Sequence, residues 1–350
     1  MKRRVGATIL AMAVISIIQC YAQEHGPREK YKIMFWNLEN FFDTFYDEGR
    51  EDGSFTPFGE MHWTKKRFVI KRNAIAKTII GAGEGTPPVI IGVAEVEKRY
   101  VLSNLISETP LSQIGYSILH RDSPDARGID VALIYRHEFF CPLETEFIRV
   151  NLPDTSATTR DILYTKGLLG GNDTLHVFVN HWPSKFGGAT ISDPKRRAAS
   201  EVLKYKCDSI LQTNTNADIV VMGDFNDTPD APVITALDRL INLSYDLHKQ
   251  GEGSIKYRGA WELIDQILVS RNMLGEKDPD GRERNPVKST DRGSKHIVFS
   301  IYSPPYLLER DATYSGMKPK RTYIGPRYNG GISDHLPIML EVIYPDRNNE

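Results

Sequence analysis

The chain has 350 residues, 40% of them hydrophobic and 25% charged, a balance ordinary for a folded globular protein. Its net charge of −1 excludes the strong overall field of a purely electrostatic nucleic-acid or membrane binder. Three cysteines, with no Cys-x-x-Cys and no Cys/His cluster, exclude a disulfide scaffold and a thiolate zinc site.

Lys2, Arg3 and Arg4 open the chain, and Ala7 to Ile18 is apolar but too short to span a bilayer. Cys20-Tyr21-Ala22 then offers the small residues that a signal peptidase reads. Residues 1–22 are expected to be a signal peptide cleaved near Ala22, which exports the protein to a periplasmic or extracellular space. Lipid attachment at Cys20 is the competing reading, and Gln19 before it fits poorly. Cleavage leaves 41 basic against 45 acidic residues. Cys141 and Cys207 remain, either paired in an oxidising compartment or as separate thiols. No later segment reaches membrane-spanning length.

Tyr31 to Trp36 reads as a first strand, running out at Asn37-Leu38-Glu39-Asn40. Glu48 to Trp63 is polar, Gly-rich and aromatic, as in a surface loop. A helix follows from about Lys65 to Ile80, with Phe68, Ile75 and Ile79 as its apolar stripe and Lys65, Lys66, Arg67, Lys71 and Arg72 mostly elsewhere. Val89 to Ala94 is a buried strand ending at Glu95, with Glu97 two residues on and a short helix over 98–107. Tyr116 to Leu119 pairs with Ile129 to Tyr135, and Arg160 to Leu168 pairs with Thr174 to Asn180. The last of these ends at His181-Trp182-Pro183. Asp193-Pro194 reads as a helix start, Asp as cap and Pro in the first turn, with the helix reaching about Leu211. Ile219 to Met222 is a buried strand ending in Gly223-Asp224-Phe225-Asn226-Asp227. Glu262 to Val269 is a further strand containing Asp265. Residues 271–330 are polar and irregular, a length uncommon unless it carries function. Ser333-Asp334-His335 precedes the last strand, Leu336 to Ile343. Alternating strands and helices, with hairpins between, predict two packed sheets covered by helices.

The polar residues at the ends of apolar runs are the candidates: Asn37, Glu39, Glu95, Arg160, His181, Asp224, Asn226, Asp265, Asp334 and His335. Along extended backbone Asp224 and Asn226 point the same way. Burying so many polar groups is costly unless they satisfy each other or bind an ion. Carboxylate and amide oxygens without thiolates suit magnesium, manganese or calcium. Two histidines beside carboxylates supply acid–base capacity near neutral pH, and an arginine forks onto phosphate. Together these parts suit metal-assisted hydrolysis of a phosphate ester. Each residue also has a structural reading: Asn37 and Asn226 as turn caps, Asp265 as an ion-pair partner, Glu39 and Glu97 beside the site or exposed. His120, His176 and His296 match no motif and read as structural, as does Asp130.

Trp36-Asn37-Leu38-Glu39-Asn40, Gly92-Val93-Ala94-Glu95-Val96-Glu97, Asn180-His181-Trp182, Gly223-Asp224-Phe225-Asn226-Asp227, Ile264-Asp265-Gln266-Ile267 and Ser333-Asp334-His335-Leu336-Pro337 stand in order along residues 31–343. This order resembles the endonuclease/exonuclease/phosphatase superfamily, the group of the pancreatic-type deoxyribonucleases, abasic-site endonucleases, sphingomyelinases and inositol-phosphate phosphatases. The resemblance implies a four-layer α/β sandwich, two packed mixed sheets flanked by helices, with the site at one edge. It implies one catalytic domain over residues 23–350, with a long insertion at about 271–331. By the same resemblance Glu95 is a metal ligand, with Asn37, Asp334 and possible Glu39 nearby. Asp224 aligns or deprotonates the attacking water, and Asn226 and Arg160 contact phosphate. His335 faces the phosphate with Asp265 fixing its tautomer, and His181 donates to a phosphate or leaving-group oxygen. The implied cofactor is Mg2+, or Mn2+ or Ca2+.

Substrate is expected to be set by the segments Asp43–Trp63, Trp182–Arg197 and Arg271–Gly331. Basic residues interleaved with aromatics there suit nucleic acid. The leading expectation is an exported, metal-dependent nuclease acting as a monomer without an obligate protein partner. A lipid or small-molecule phosphodiesterase or phosphatase is the alternative, favoured by exposed aromatic hairpins of which the sequence shows no clear case. A catalytically inactive binding module is the third reading.

Overall fold

The computed structural model describes residues 30–185, 187–274 and 295–344. The expected signal peptide over residues 1–22, with Cys20 and the expected cleavage near Ala22, lies outside the described residues. Strands β1 (Lys30–Phe41), β2 (Ile90–Val96), β3 (Tyr116–His120) and β4 (Asp130–Arg136) build one sheet. Strands β5 (Phe140–Ile148), β6 (Ile162–Leu169), β7 (Asp173–His181), β8 (Asp218–Asp224), β9 (Leu240–Asn242) and β10 (Asp265–Ser270) build a second. The chain then returns, and β11 (His296–Ile301) and β12 (Ile338–Ile343) complete the first sheet. The strand orders are β11-β12-β1-β2-β4-β3 and β5-β6-β7-β8-β10-β9.

Alternation along each strand decides what lies between the layers. Ile33 and Phe35 of β1, Ile90 of β2, Val177 of β7, Met222 of β8 and Ile267 of β10 pack together between the sheets. Their neighbours Met34, Trp36, Ile91 and Val93 face outward under Phe68, Ile75 and Ile79 of helix α1 (Lys65–Ala82) and Leu102 and Leu105 of α2 (Arg99–Ser107). On the far side Ile219 and Val221 sit under Ala199, Leu203, Cys207 and Leu211 of α3 (Ala189–Thr213). The result is the expected four-layer sandwich. Cys141, on β5, and Cys207, on α3, are free thiols.

Each sheet contains one parallel pair joined by a helix: β1–α1–β2 and β7–α3–β8. A parallel crossover brings both strands to the same edge, so the carboxyl ends of β1, β2, β7 and β8 meet there. Gly223 makes close approach possible one residue before Asp224. A Cβ on it would lie 2.5 Å from the Asn180 carbonyl oxygen and 2.6 Å from the Asn180 Cβ. Gly223→Ala is therefore expected to lower stability by about 1–3 kcal/mol. Urea unfolding checks this, and an unchanged midpoint would contradict so tight an approach of β7 to β8.

Three expectations need correction. Helix α3 begins at Ala189, not at Asp193, and Pro194 lies inside it. Its first turn is already closed by Ser192, whose N–H and hydroxyl both bond the Gly188 carbonyl at 3.1 and 2.9 Å. The carbonyl left bare by the missing Pro194 N–H belongs to Thr190, an exposed residue. Lys71, placed by the sequence on a polar helix face, is buried. The described part of 271–331 is also not irregular: it holds β11 and two ribbons, Leu308–Arg310 with Met317–Pro319 and Tyr323–Ile324 with Arg327–Tyr328. Among the described residues no helix is long and apolar enough to cross a membrane.

Candidate active site

Strand register assembles the site. His181 ends β7 opposite Asp224, which ends β8, and Asp224 in turn stands opposite Asp265 at the start of antiparallel β10. In the other sheet Asn37 of β1 pairs with Ala94 of β2, one residue before Glu95. Asp334 and His335 lie just ahead of β12 and enter from the same edge, where the His335 carbonyl accepts the Trp36 indole N–H at 2.9 Å. Both sheets therefore deliver polar side chains to one end of the inter-sheet space.

The backbone there is not regular strand. Pairing slips between Asn37 and Phe41 and between Ala94 and Val96. Glu39, Asn40, Glu95 and Asn226 have left-handed φ of 44°, 53°, 57° and 51°. Such conformations cost of order 1–3 kcal/mol each in residues with a Cβ, and persist where the surroundings impose them. Here the imposing contacts are visible: the Asn40 N–H donates to Glu95 Oε2 at 2.9 Å, and the Asn226 N–H donates to Asp224 Oδ1 at 2.9 Å.

Asp224 is the junction. Its Oδ2 accepts from Asn37 Nδ2 at 3.0 Å and lies 3.6 Å from His181 Nε2 and 3.9 Å from His335 Nε2. Burial, reinforced by the Asp265 charge and opposed by His335, pushes its carboxyl up to about 7. His335 Nδ1 donates to Asp265 Oδ2 at 2.7 Å, and the Ser254 hydroxyl donates to the same oxygen at 2.5 Å. Burial alone would lower the His335 pKa, but Asp265, Asp224 and Asp334 together carry it well above the usual imidazole value. His181 goes the other way: burial first, then Arg160, Arg127 and His335, hold it well below 6.5 and keep it neutral. Ligand-type atoms of Asp224, Asp265 and His335 lie within 4.8 Å of one another.

The metal-ligand expectations fare unequally. Glu95 Oε1 lies 3.3 Å from Asn37 Nδ2 and 3.8 Å from neutral His181, and no Lys or Arg pairs with it among the described residues. Asn37 turns its NH2 group to Glu95 and Asp224, because its oxygen already accepts the Glu39 N–H at 2.9 Å. It ties the two carboxylates together rather than offering them an oxygen. Glu39 is spoken for as well. Its Oε1 takes Arg321 Nε at 3.0 Å and its Oε2 the Thr322 N–H at 2.6 Å, while its carbonyl accepts the Lys71 ammonium. Arg321 also reaches Asp334 Oδ2 at 3.0 Å, which leaves Asp334 Oδ1 facing His335.

Arg160 also departs from expectation. Its Nε donates to the His181 carbonyl at 3.1 Å, Nη2 to the Trp182 carbonyl at 2.6 Å, and Nη1 to Asp125 at 3.0 Å. With an acceptor on every nitrogen and almost complete burial, it clamps the turn after β7 rather than presenting a free fork. Asn226 gives Nδ2 to the Trp182 carbonyl at 2.9 Å and so braces the same turn.

Sequence reasoning missed Ser254, Lys71, Arg321, Asp125 and Ser333, whose hydroxyl donates to the Asn37 carbonyl at 2.7 Å. Lys71 alone carried a signal, since it falls between Phe68 and Ile75 on the stripe that α1 buries. Glu97, read as exposed or beside the site, is buried and accepts the Asp43 N–H at 2.6 Å; burial pushes it up to about 8. His120 pairs with Asp130 at 3.2 Å.

Carboxylates and two histidines of opposite protonation, gathered at the carboxyl ends of parallel strands in a two-sheet sandwich, define a hydrolase site of the kind that acts on phosphate esters. A model of the Endonuclease/Exonuclease/phosphatase family matches residues 32–344, and the chain belongs to that family, whose members are phosphoester hydrolases. No curated protein matches the sequence. Among solved structures, truncated TDP2 of Caenorhabditis elegans is similar at 14% identity and TM-score 0.54, over 89% of this chain and 97% of that one. An endonuclease/exonuclease/phosphatase family protein of Bacteroides thetaiotaomicron is similar at 13% identity and TM-score 0.53, over 91% and 98%. D. rerio TDP2, in a complex with a single-strand DNA product, is similar at 12% identity and TM-score 0.52, over 90% and 99%. At these identities the likeness concerns the fold alone.

Proposed function

We propose that the protein is an exported, divalent-metal-dependent phosphodiesterase that cleaves nucleic acid. One observation carries the reading: His335 and His181 converge from opposite sheets on one buried carboxylate, Asp224, at 3.9 and 3.6 Å. Asp224 holds the attacking water and takes its proton. His335, oriented by Asp265, gives its Nε2–H to a non-bridging phosphate oxygen on which charge develops. His181 stands on the other side of Asp224 and hydrogen-bonds a second phosphate or leaving-group oxygen. Preorganised donors of this kind are worth about 2.7–4 kcal/mol of barrier each.

The donor set fits a hard divalent cation. Among the described residues, Glu95 Oε1 and Asp334 Oδ1 are carboxylate oxygens that no Lys or Arg pairs with, and no thiolate lies with them. Glu95 and Asp334 would hold Mg2+, Mn2+ or Ca2+. When bound, the ion supplies charge stabilisation at phosphorus. Nucleic acid as substrate is supported by Lys195 and Arg197 in the segment after His181, where Arg196 is buried against Asp193 and Asp227 and Lys185 pairs with Asp227, and by the DNA product held by the D. rerio TDP2 structure.

One observation favours a lipid substrate instead: the loop between β1 and α1 exposes Phe45, Tyr46 and Phe58, the last 98% exposed. The deciding assay sets supercoiled DNA, RNA, sphingomyelin and bis(p-nitrophenyl) phosphate before residues 23–350, each with magnesium and with EDTA. EDTA-sensitive nicking of DNA, lost in His181→Ala, is the expected result. Lipid cleavage with DNA intact would transfer the assignment to the exposed aromatics. No hydrolysis under any metal would leave a binding module. Export is checked separately, by amino-terminal sequencing of the protein recovered outside the cytoplasm.

A further inference from the structure

A second cavity lies behind the turn that follows His181. Its volume is about 470 Å³, and Arg127, Thr159, Arg160, Pro183 and Lys195 line it together with Asp125. Three cations there face one carboxylate. That carboxylate is engaged, with Asp125 3.0 Å from Arg160 and 3.4 Å from Arg127. Lys195 forms no ion pair among the described residues, and Arg127 is exposed toward the opening. Thr159 borders the cavity too, and its hydroxyl is closed off with no hydrogen-bond partner, in a residue only 3% exposed. An unpaired buried hydroxyl is costly.

The cavity is coupled to the site but separate from it. Arg160 borders the cavity while its Nε and Nη2 hold the His181 and Trp182 carbonyls. His181, Asp224, Asp334 and His335 do not line the cavity, so the phosphate under attack beside His181 does not also fill it. A substrate that uses both carries a second anionic group at some distance from the first. Successive phosphates of a polynucleotide strand are such groups, and an open cationic cavity accepts them without reading a base.

We propose that Arg127, Thr159 and Lys195, backed by Arg160, form a subsite for a phosphate flanking the scissile one in a single polynucleotide strand. The inference rests on the phosphodiesterase reading for its scissile phosphate, but the subsite is testable by binding alone. The probe is a fluorescent single-stranded DNA of about twelve nucleotides, within the span such grooves cover. Its anisotropy is followed in EDTA, so that no cleavage occurs, across a series of salt concentrations. Arg127→Ala/Lys195→Ala is expected to weaken binding about tenfold at low salt and to flatten the salt dependence by about two phosphate contacts. Thr159→Val tests that hydroxyl at nearly constant shape, with a smaller loss expected in the same direction. Lys249→Ala, a cation outside the cavity lining that pairs with Asp230, serves as control and leaves binding unchanged.

Unaltered affinity and salt slope in the double variant would overturn the subsite. So would an equal loss in the control. Hydrolysis of bis(p-nitrophenyl) phosphate by the wild-type protein is measured in parallel. Its failure would remove the hydrolase reading, and the binding result would still decide the subsite.

Discussion

Asp224→Asn is expected to lower kcat on a phosphodiester by about 10²–10⁴-fold, the usual worth of a positioned proton acceptor. Asparagine keeps the shape of the side chain, so β8 and β10 stay paired and the thermal midpoint moves little. On the proposed mechanism, what is lost is the ability to take a proton from water at the point where Asn37, His181 and His335 converge. Burial pushes the Asp224 carboxyl up to about 7, so wild-type activity should fall as pH is lowered through and below neutrality. A cation held at Glu95, as proposed, would draw this limb toward lower pH. The protonated form is the inactive one, because only the carboxylate can accept. His335 stays protonated through the same range, since its carboxylate neighbours hold its pKa well above 6.5. A variant retaining more than a tenth of wild-type kcat, with the acid limb intact, would remove Asp224 from the proton-transfer role. His335→Asn then provides the companion measurement, expected at about 10²–10³-fold for one lost donor.

The second large effect concerns stability. Lys71→Met should cost about 3 kcal/mol or more, as expected when one partner of a buried charge network is removed. Lys71 is almost inaccessible, and its ammonium donates to the Glu39 carbonyl and to Thr322 Oγ1, the latter at 2.8 Å. It helps hold the segment carrying Arg321 and Thr322 against the end of β1. Methionine leaves both acceptors unsatisfied and withdraws positive charge from Glu39. Urea unfolding measures the loss, and Glu39→Gln/Lys71→Met should recover part of it, since the uncompensated charge is then gone. A single variant within 1 kcal/mol of wild type, by the rough yardstick for exposed charges, would show that the network does not support the segment. Glu39 adds a pH dependence of known sign. Burial raises its carboxyl from 4.5 to about 7, so the folded chain holds a proton that the unfolded chain has lost over that window. Its contribution to stability is complete below 4.5 and disappears as pH rises through about 7. Glu39→Gln removes that slope.

Much of the site was legible because its residues terminate apolar runs. Val89 to Ala94 and Ile219 to Met222 could only be buried strands, and a polar residue at the end of a buried strand needs a reason. The motifs from Asn37 to His335 stood in the order that the fold then brings together. Orientation was not legible. Whether Asn37 shows its oxygen or its NH2 to Glu95 depends on the Glu39 N–H, which points at Asn37 only because the chain turns left-handed at Glu39. Arg160 read as a phosphate fork because its neighbours in sequence do not reveal that two carbonyls of the β7 turn and Asp125 surround it. Arg321 lies 282 positions from Glu39, and no local pattern links them.

The sequence by itself determined the layers and the chemistry. Periodicity of two or of 3.6 residues decides which face of each element is buried, and hard oxygen donors without thiolates decide which ions suit the site. Only the tertiary structure decided the protonation states and the partners. A pKa depends on burial and on charges that arrive from distant strands, so the two histidines, alike in sequence, are shifted in opposite directions. The partners of Glu39, Asn37 and Arg160 were settled by the same long-range geometry: the parallel crossovers that bring four strand ends to one edge, and the return of β12 that closes it.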